Sequence, residues 1–149
     1  MKKVLICTSL LFVSVFCWAI SNITLYRDNW KIKFMDNVFY EKSFDKDGNI
    51  DEQGVYRKVS GTDIYDKDNV LIGSVKIAKG YVTITYFYLD SENKPAGTKE
   101  VTEFFGRTGR AVKMTVYNED GKVHSICDYK ERTLTVFNAD GSVESTVNF

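Results

Sequence analysis

Oxygen-bearing side chains at alternate positions could hold a hard cation in the first half of the chain. Asp45, Asp47, Asn49 and Asp51 follow this pattern, as positions 1, 3, 5 and 7 do in the calcium loop of an EF-hand. Ile50 stands where that loop needs its glycine, and no Glu follows at the loop's last position. Because Asp, Asn and Gly also favour solvated hairpin turns, calcium binding and a plain turn are both open readings of these residues.

The second candidate for chemistry is the single histidine, His124, with Cys127 and Asp128 close behind it. A Cys–His pair would be a nucleophile and its base. Alternation along an extended strand places His124 and Cys127 on opposite faces, so the two side chains do not share a proton. The sequence contains no nucleophile-elbow, zinc-protease or phosphate-loop motif. We therefore expect neither an enzyme nor a cofactor other than the calcium candidate.

The elements that position these residues begin after an export signal. Lys2 and Lys3 precede an apolar run over 4–16, and small residues follow at the positions read by signal peptidase. Cleavage after Ala19 or Ser21 is expected, so that residues 1–21 form a signal-peptide helix and residues 22–149 one exported domain. The alternative is an uncleaved anchor, since residues 4–20 are at the lower limit of a membrane span.

Cleavage would remove two of the three cysteines and leave Cys127, which excludes an intramolecular disulfide. It would also remove two lysines, so that 18 basic residues face 20 acidic ones. A net charge near −2 gives no general attraction to nucleic acid or to anionic lipid. Nucleic acid is therefore not an expected partner.

A short phrase recurs along the exported part: an aromatic residue, Gly four positions later, an aliphatic residue two further on, and another aromatic residue twelve positions after the first. Reuse of one phrase indicates stacking of one supersecondary unit. Three clear copies begin at Phe44, Tyr117 and Phe137. A weaker copy begins at Phe105, and a degraded one begins at Tyr65.

These copies predict an all-β fold, an antiparallel meander of consecutive hairpins in a twisted repeat-type sheet. The tight turns are expected at Asp47-Gly48, Asp68-Asn69, Asp120-Gly121 and Asp140-Gly141, because Gly and Asn accept positive φ. β-branched and aromatic stretches of strand length run between them. One face of each strand should be buried and the other wet; Val143, Ser145, Val147 and Phe149 are expected to share one face of the last strand.

Residues 80–89 differ, because neither face of this stretch is charged. We expect a central strand there, buried on both faces. The functional alternative is a binding face that lines a groove, formed by Tyr81, Thr83, Thr85 and Phe87.

The phrase Tyr117-Asn118-Glu119-Asp120-Gly121-Lys122-Val123 resembles the variant MORN-type β-hairpin repeats of bacterial secreted proteins. The resemblance covers residues 105–149 best, and the second glycine framework of that family is missing. It implies a role in interaction rather than catalysis, and no functional residue is carried over from the family.

Two functions follow as expectations. The first is a secreted or periplasmic binding or structural module, whose partner is a protein or glycan of the cell envelope. The second is a small outer-membrane β-barrel, because the chain ends in Phe149 behind alternating residues. Contact with a membrane is expected only in that case or through an uncleaved signal.

The calcium candidate can be tested directly. If the chain binds Ca²⁺ through these oxygens, calorimetric titration with calcium chloride should show heat that disappears in Asp47→Ala, since one carboxylate ligand is lost. An absence of heat in the unmodified chain would identify the segment as a plain turn.

Overall fold

A computed structural model describes residues 24–27, 30–35, 38–43, 55–60 and 62–149. These residues form one antiparallel sheet in which the order of the strands is their order along the chain. The predicted all-β meander of hairpins is thereby confirmed. The strands are β1 (Thr24–Arg27), β2 (Trp30–Met35), β3 (Val38–Ser43), β4 (Val55–Ser60), β5 (Asp63–Tyr65), β6 (Leu71–Ala78), β7 (Tyr81–Leu89), β8 (Pro95–Phe105), β9 (Ala111–Tyr117), β10 (Val123–Asp128), β11 (Thr133–Phe137) and β12 (Val143–Asn148).

Four three-residue turns of one design lie at one end of the sheet. In the turn from Asn118 to Lys122, the Gly121 N–H donates to the Asn118 carbonyl (2.9 Å) and the Asn118 N–H donates to the Lys122 carbonyl (2.8 Å). Gly121 has a φ of 82°, as a type I turn followed by a left-handed residue requires. The turns that begin at Asp66, Asp90 and Asn138 repeat both hydrogen bonds.

An aspartate in each of these turns holds the backbone. The Asp66 carboxylate accepts the N–H groups of Asp68 and Val70, both at 2.9 Å. The Asp90 carboxylate likewise accepts the N–H groups of Glu92 and Lys94. Such side-chain bonds are the reason why Asp and Asn initiate turns. The turns predicted at Asp68-Asn69, Asp120-Gly121 and Asp140-Gly141 are confirmed.

The hydrophobic core lies between the early and the central strands. Leu25, Ile64 and Phe104 are completely buried, and further buried residues come from β2, β4, β6 and β7. In β7, Val82 and Ile84 point into this core. We call this side of the sheet the inner face and the opposite side the outer face.

Contact between β1 and the turn before β9 encloses this core. The Tyr26 N–H donates to the Gly109 carbonyl at 2.7 Å, and Tyr26 forms a parallel bridge with Arg110. The sheet therefore curls until its first strand meets residues far along the chain. Gly109 has a φ of 68°, and a Cβ placed there would lie 2.0 Å from the Thr24 carbonyl oxygen.

The last three strands extend beyond this core. Ser125 and Cys127 of β10 are buried, β11 is half-buried and β12 is exposed throughout. A bulge pairs Val143 with Phe137 but Ser145 with Val136, so Val143 does not share a face with Ser145 and Val147. The expectation of one face for all four residues was wrong because of this bulge. The expectation of one buried face was wrong because no described residue covers either face of β12.

Several sequence-based predictions lie outside the described residues: the signal peptide over 1–21, the turn at Asp47-Gly48 and the calcium candidates Asp45, Asp47, Asn49 and Asp51. Among the residues that are described, no helix is long and apolar enough to cross a membrane.

Gly109→Ala should destabilise the protein by about 3 kcal/mol, because strained φ and a backbone clash act together. Gly121→Ala is the matched control: it also has positive φ, but its Cβ would meet nothing within 4 Å, so about 1 kcal/mol is expected. Denaturant unfolding measures both variants. Equal losses would show that the contact with Thr24 does not constrain the fold.

Candidate binding surfaces

The described residues form a pocket of about 450 Å³ between two of the equivalent turns. Ile126 and Phe137 contribute apolar side chains to its lining, and Asp140 and Gly141 line it from the second turn. Ile126 pairs with Thr115 and Thr135, which places the pocket on the outer face. The remaining lining residues are Lys122 and Val123.

Lys122 links the two turns that border this pocket. Its ammonium group donates to the Ala139 carbonyl at 2.9 Å and lies 3.7 Å from the Asp120 carboxylate. Both side chains of that ion pair are more than half exposed, so the pair itself contributes little to stability. The bond to the neighbouring turn adds a link between the two hairpins at the rim of the pocket.

The expected binding face on β7 lies on the outer face. Tyr81 is 38% exposed, while Thr83, Thr85 and Phe87 are half-buried. Tyr81 packs against Phe105 with ring centroids 5.5 Å apart. β7 lies between β6 and β8, so its prediction as a central strand is confirmed. Burial on both faces was wrong, because its outer face stays accessible; the role of this face in binding remains a prediction.

Two cross-strand rows continue this outer face across neighbouring hairpins. In one, Glu103 pairs with Lys113, and Lys113 with Asp128. Opposite charges thus stand side by side, which favours this register. The other row is rich in threonine, with the last two hydroxyls 3.4 Å apart; its members on β7 to β12 are Thr85, Val101, Thr115, Ile126, Thr135 and Thr146.

The His124 region is arranged as a strand with a bulge. The register shifts between Val123 and Ser125, so His124 is the extra residue and is exposed. Cys127 carries a buried thiol on the inner face, and Asp128 is occupied by the N–H groups of Lys130 and Glu131. In the described part of the chain, no three His, Cys, Asp or Glu side chains are grouped to hold a metal ion.

A polar cluster on the inner face joins the first strand to the centre of the sheet. Arg27 forms a largely buried ion pair with Glu100 and lies 3.2 Å from the Thr102 hydroxyl. Thr102 in turn donates to Glu100 at 2.9 Å and is buried. Each polar group has a partner, as burial requires, and we assign this cluster to the fold rather than to a ligand.

Sequence reasoning missed the turn at Asp90 and the pocket. The Asp90 turn contains Asn93, with a φ of 59°, in place of glycine, so the aromatic-glycine phrase did not reveal it. The spacing from Asp90 to Asn93 equals that from Asp66 to Asn69. This repeated spacing could have predicted the Asp90 turn. The pocket depends on two turns brought side by side, which no local pattern shows.

The sequence matches no known protein-family profile and no curated protein. Two solved structures resemble the fold: S. aureus TarM, as a mutant in complex with fondaparinux, α-GlcNAc-glycerol and UDP (16% identity, TM-score 0.46), and a second TarM structure (17% identity, TM-score 0.43). They match 95% and 93% of this chain but 22% and 21% of their own. The chain thus spans about a fifth of their length.

Asp140 allows a test by pH. The hydroxyl and then the backbone N–H of Ser142 donate to its carboxylate, and these bonds lower the pKa of Asp140 from its usual 3.8. Because the folded pKa is below the unfolded one, the resulting stabilisation is present above pH 3.8 and is lost as the pH falls through the folded value. Ser142→Ala should raise the pKa of Asp140 in a carboxyl NMR titration, since one donor is removed; an unchanged pKa would contradict this assignment.

Proposed function

We propose that the chain is an exported, non-catalytic binding module of the variant MORN-type hairpin class, and that it binds a protein by adding a strand to β12. The observation that carries this proposal is the outer edge of β12. Hairpin follows hairpin in this sheet, and the last strand has its second neighbour missing among the described residues.

The backbone groups on that edge can be identified. The Phe149 N–H donates to the Arg132 carbonyl at 3.0 Å, so the backbone of Phe149 points to β11. Because backbone direction alternates along a strand, Val147 and Ser145 also point to β11. Thr146 and Asn148 therefore present their N–H and C=O groups outward, where a partner's strand can pair with them.

The side chains of this edge favour a protein partner. Val143, Val147 and Phe149 are between 47% and 57% exposed, and Glu144 is the single charged residue of β12. Natural edge strands are usually protected by charges, proline or bulges that prevent pairing. The bulge at Val143 affects one end of β12, and the rest is long enough for a short extended segment with apolar side chains.

Thr146→Pro should abolish strand addition while leaving the fold intact. Its N–H points outward and bonds to no residue of β11, and proline is tolerated on an edge strand in that orientation. We expect a photo-crosslinker at Asn148 to capture a partner in intact cells, and this adduct to be lost on adding Thr146→Pro. The melting temperature should fall little.

The control for Thr146→Pro is Lys113→Ala on the outer face, because a proline at position 113 would break the sheet. It should leave the adduct unchanged. Persistence of the adduct in Thr146→Pro, or its equal loss in Lys113→Ala, would contradict strand addition at β12. An adduct of twice the chain's mass would identify a second copy as the partner.

A further inference from the structure

Charge is segregated between the two ends of the sheet. Turns from an odd to an even strand lie at one end and the others lie at the opposite end, because the sheet is an antiparallel meander. The four aspartate-anchored turns contain seven acidic and three basic residues: Asp66, Asp68, Asp90, Glu92, Glu119, Asp120 and Asp140 against Lys67, Lys94 and Lys122.

Three described turns at the opposite end reverse this ratio. These turns, over 79–80, 106–110 and 129–132, contain one acidic residue, Glu131, and five basic ones. We call these five the basic end: Lys79, Arg107, Arg110, Lys130 and Arg132. All are exposed, and none is in an ion pair within the described ranges. A protein with almost no net charge thus has a local positive surface, which attracts anions at short range.

Two of the three turns of the basic end are joined directly. The Gly106 N–H donates to the Gly80 carbonyl at 2.8 Å, which joins the first turn to the second. Each turn is two strands from the next, so groups of one or two cations recur about every 10 Å along the sheet. A row of this kind fits an extended polyanion better than a compact anion.

Aromatic side chains adjoin two of these turns on the outer face. The exposed rings of Tyr81 and Phe105 pack together beside the first two turns. Partly exposed rings offer apolar surface to the C–H groups of a sugar, while the cations meet its acidic groups.

We infer that the basic end binds an acidic polysaccharide with widely spaced charges. A nucleic acid strand carries a charge about every 3.4 Å in a duplex, much closer than the roughly 10 Å from one group of cations to the next, whereas one acidic group in each disaccharide gives a sparser row. The choice of a glycan rests on the export in the proposed function; the surface itself does not depend on β12.

The test measures binding of the purified chain to fluorescent hyaluronate oligosaccharides, which have one carboxylate in each disaccharide, and to uncharged chitin oligosaccharides of equal length. Hyaluronate should bind, and binding should weaken as salt is raised from about 0.05 to 0.2 M, because the charges are screened. Chitin oligosaccharides should bind far more weakly.

Arg107→Glu and Lys130→Glu should each weaken hyaluronate binding about two- to ten-fold, or about 0.4–1.4 kcal/mol. Lys67→Glu is the matched control, since it makes the same charge change on an exposed turn at the opposite end, and it should leave binding unchanged. Thr146→Pro should also bind normally, which separates this surface from the β12 edge.

Equal effects of Lys67→Glu and Arg107→Glu would overturn the inference, because net charge rather than the basic end would then govern binding. Tighter binding to a single-stranded oligonucleotide, or to vesicles of anionic lipid, would also overturn it in favour of those partners. Thermal melts of each variant exclude misfolding as the cause of a loss.

Discussion

The contact of β1 with Gly109 is the constraint on which the core depends. A single-layer sheet buries nothing on its own, and the apolar residues of the central strands need a cover. The curl that brings Thr24 and Tyr26 onto the backbone at Gly109 provides it, and Arg27 secures it through Glu100. Because Gly109 has no side chain, its backbone and that of β1 approach closely enough to form a hydrogen bond.

Beyond this enclosed part, the sheet is stabilised in a different way. β10 to β12 have little buried surface, and their order depends on strand pairing and on turns fixed by Asp120 and Asp140. The Lys122 bond to Ala139 adds a link between neighbouring hairpins. The same absence of cover leaves the pocket, the outer face and the β12 edge accessible, so that stability and accessibility change in opposite directions along the sheet.

Local chemistry explains what could be predicted from sequence. The turns at Gly121 and Gly141 could be predicted because a glycine that follows an aspartate accepts positive φ. The strands could be predicted from the β-branched residues between these turns. The copy at Phe105 was misleading: Gly109 has positive φ, but its turn lies at the other end of the sheet and has a longer loop. The bulges at His124 and Val143, the contact of β1 with Gly109 and the pocket at Phe137 depend on partners distant in sequence, and no local pattern contains them.

Because strand order equals chain order, each pairing in the sheet forms between neighbours in sequence. Such hairpins can assemble one after another, with small losses of chain entropy at each step. The pairing of Arg27 with Glu100 is different, since these residues are 73 positions apart. We therefore expect folding in two stages: rapid growth of the meander, followed by a slower docking of its first strand. Until that docking, the core would be open to solvent, so the rate at which β1 arrives would determine how long the chain is exposed to aggregation.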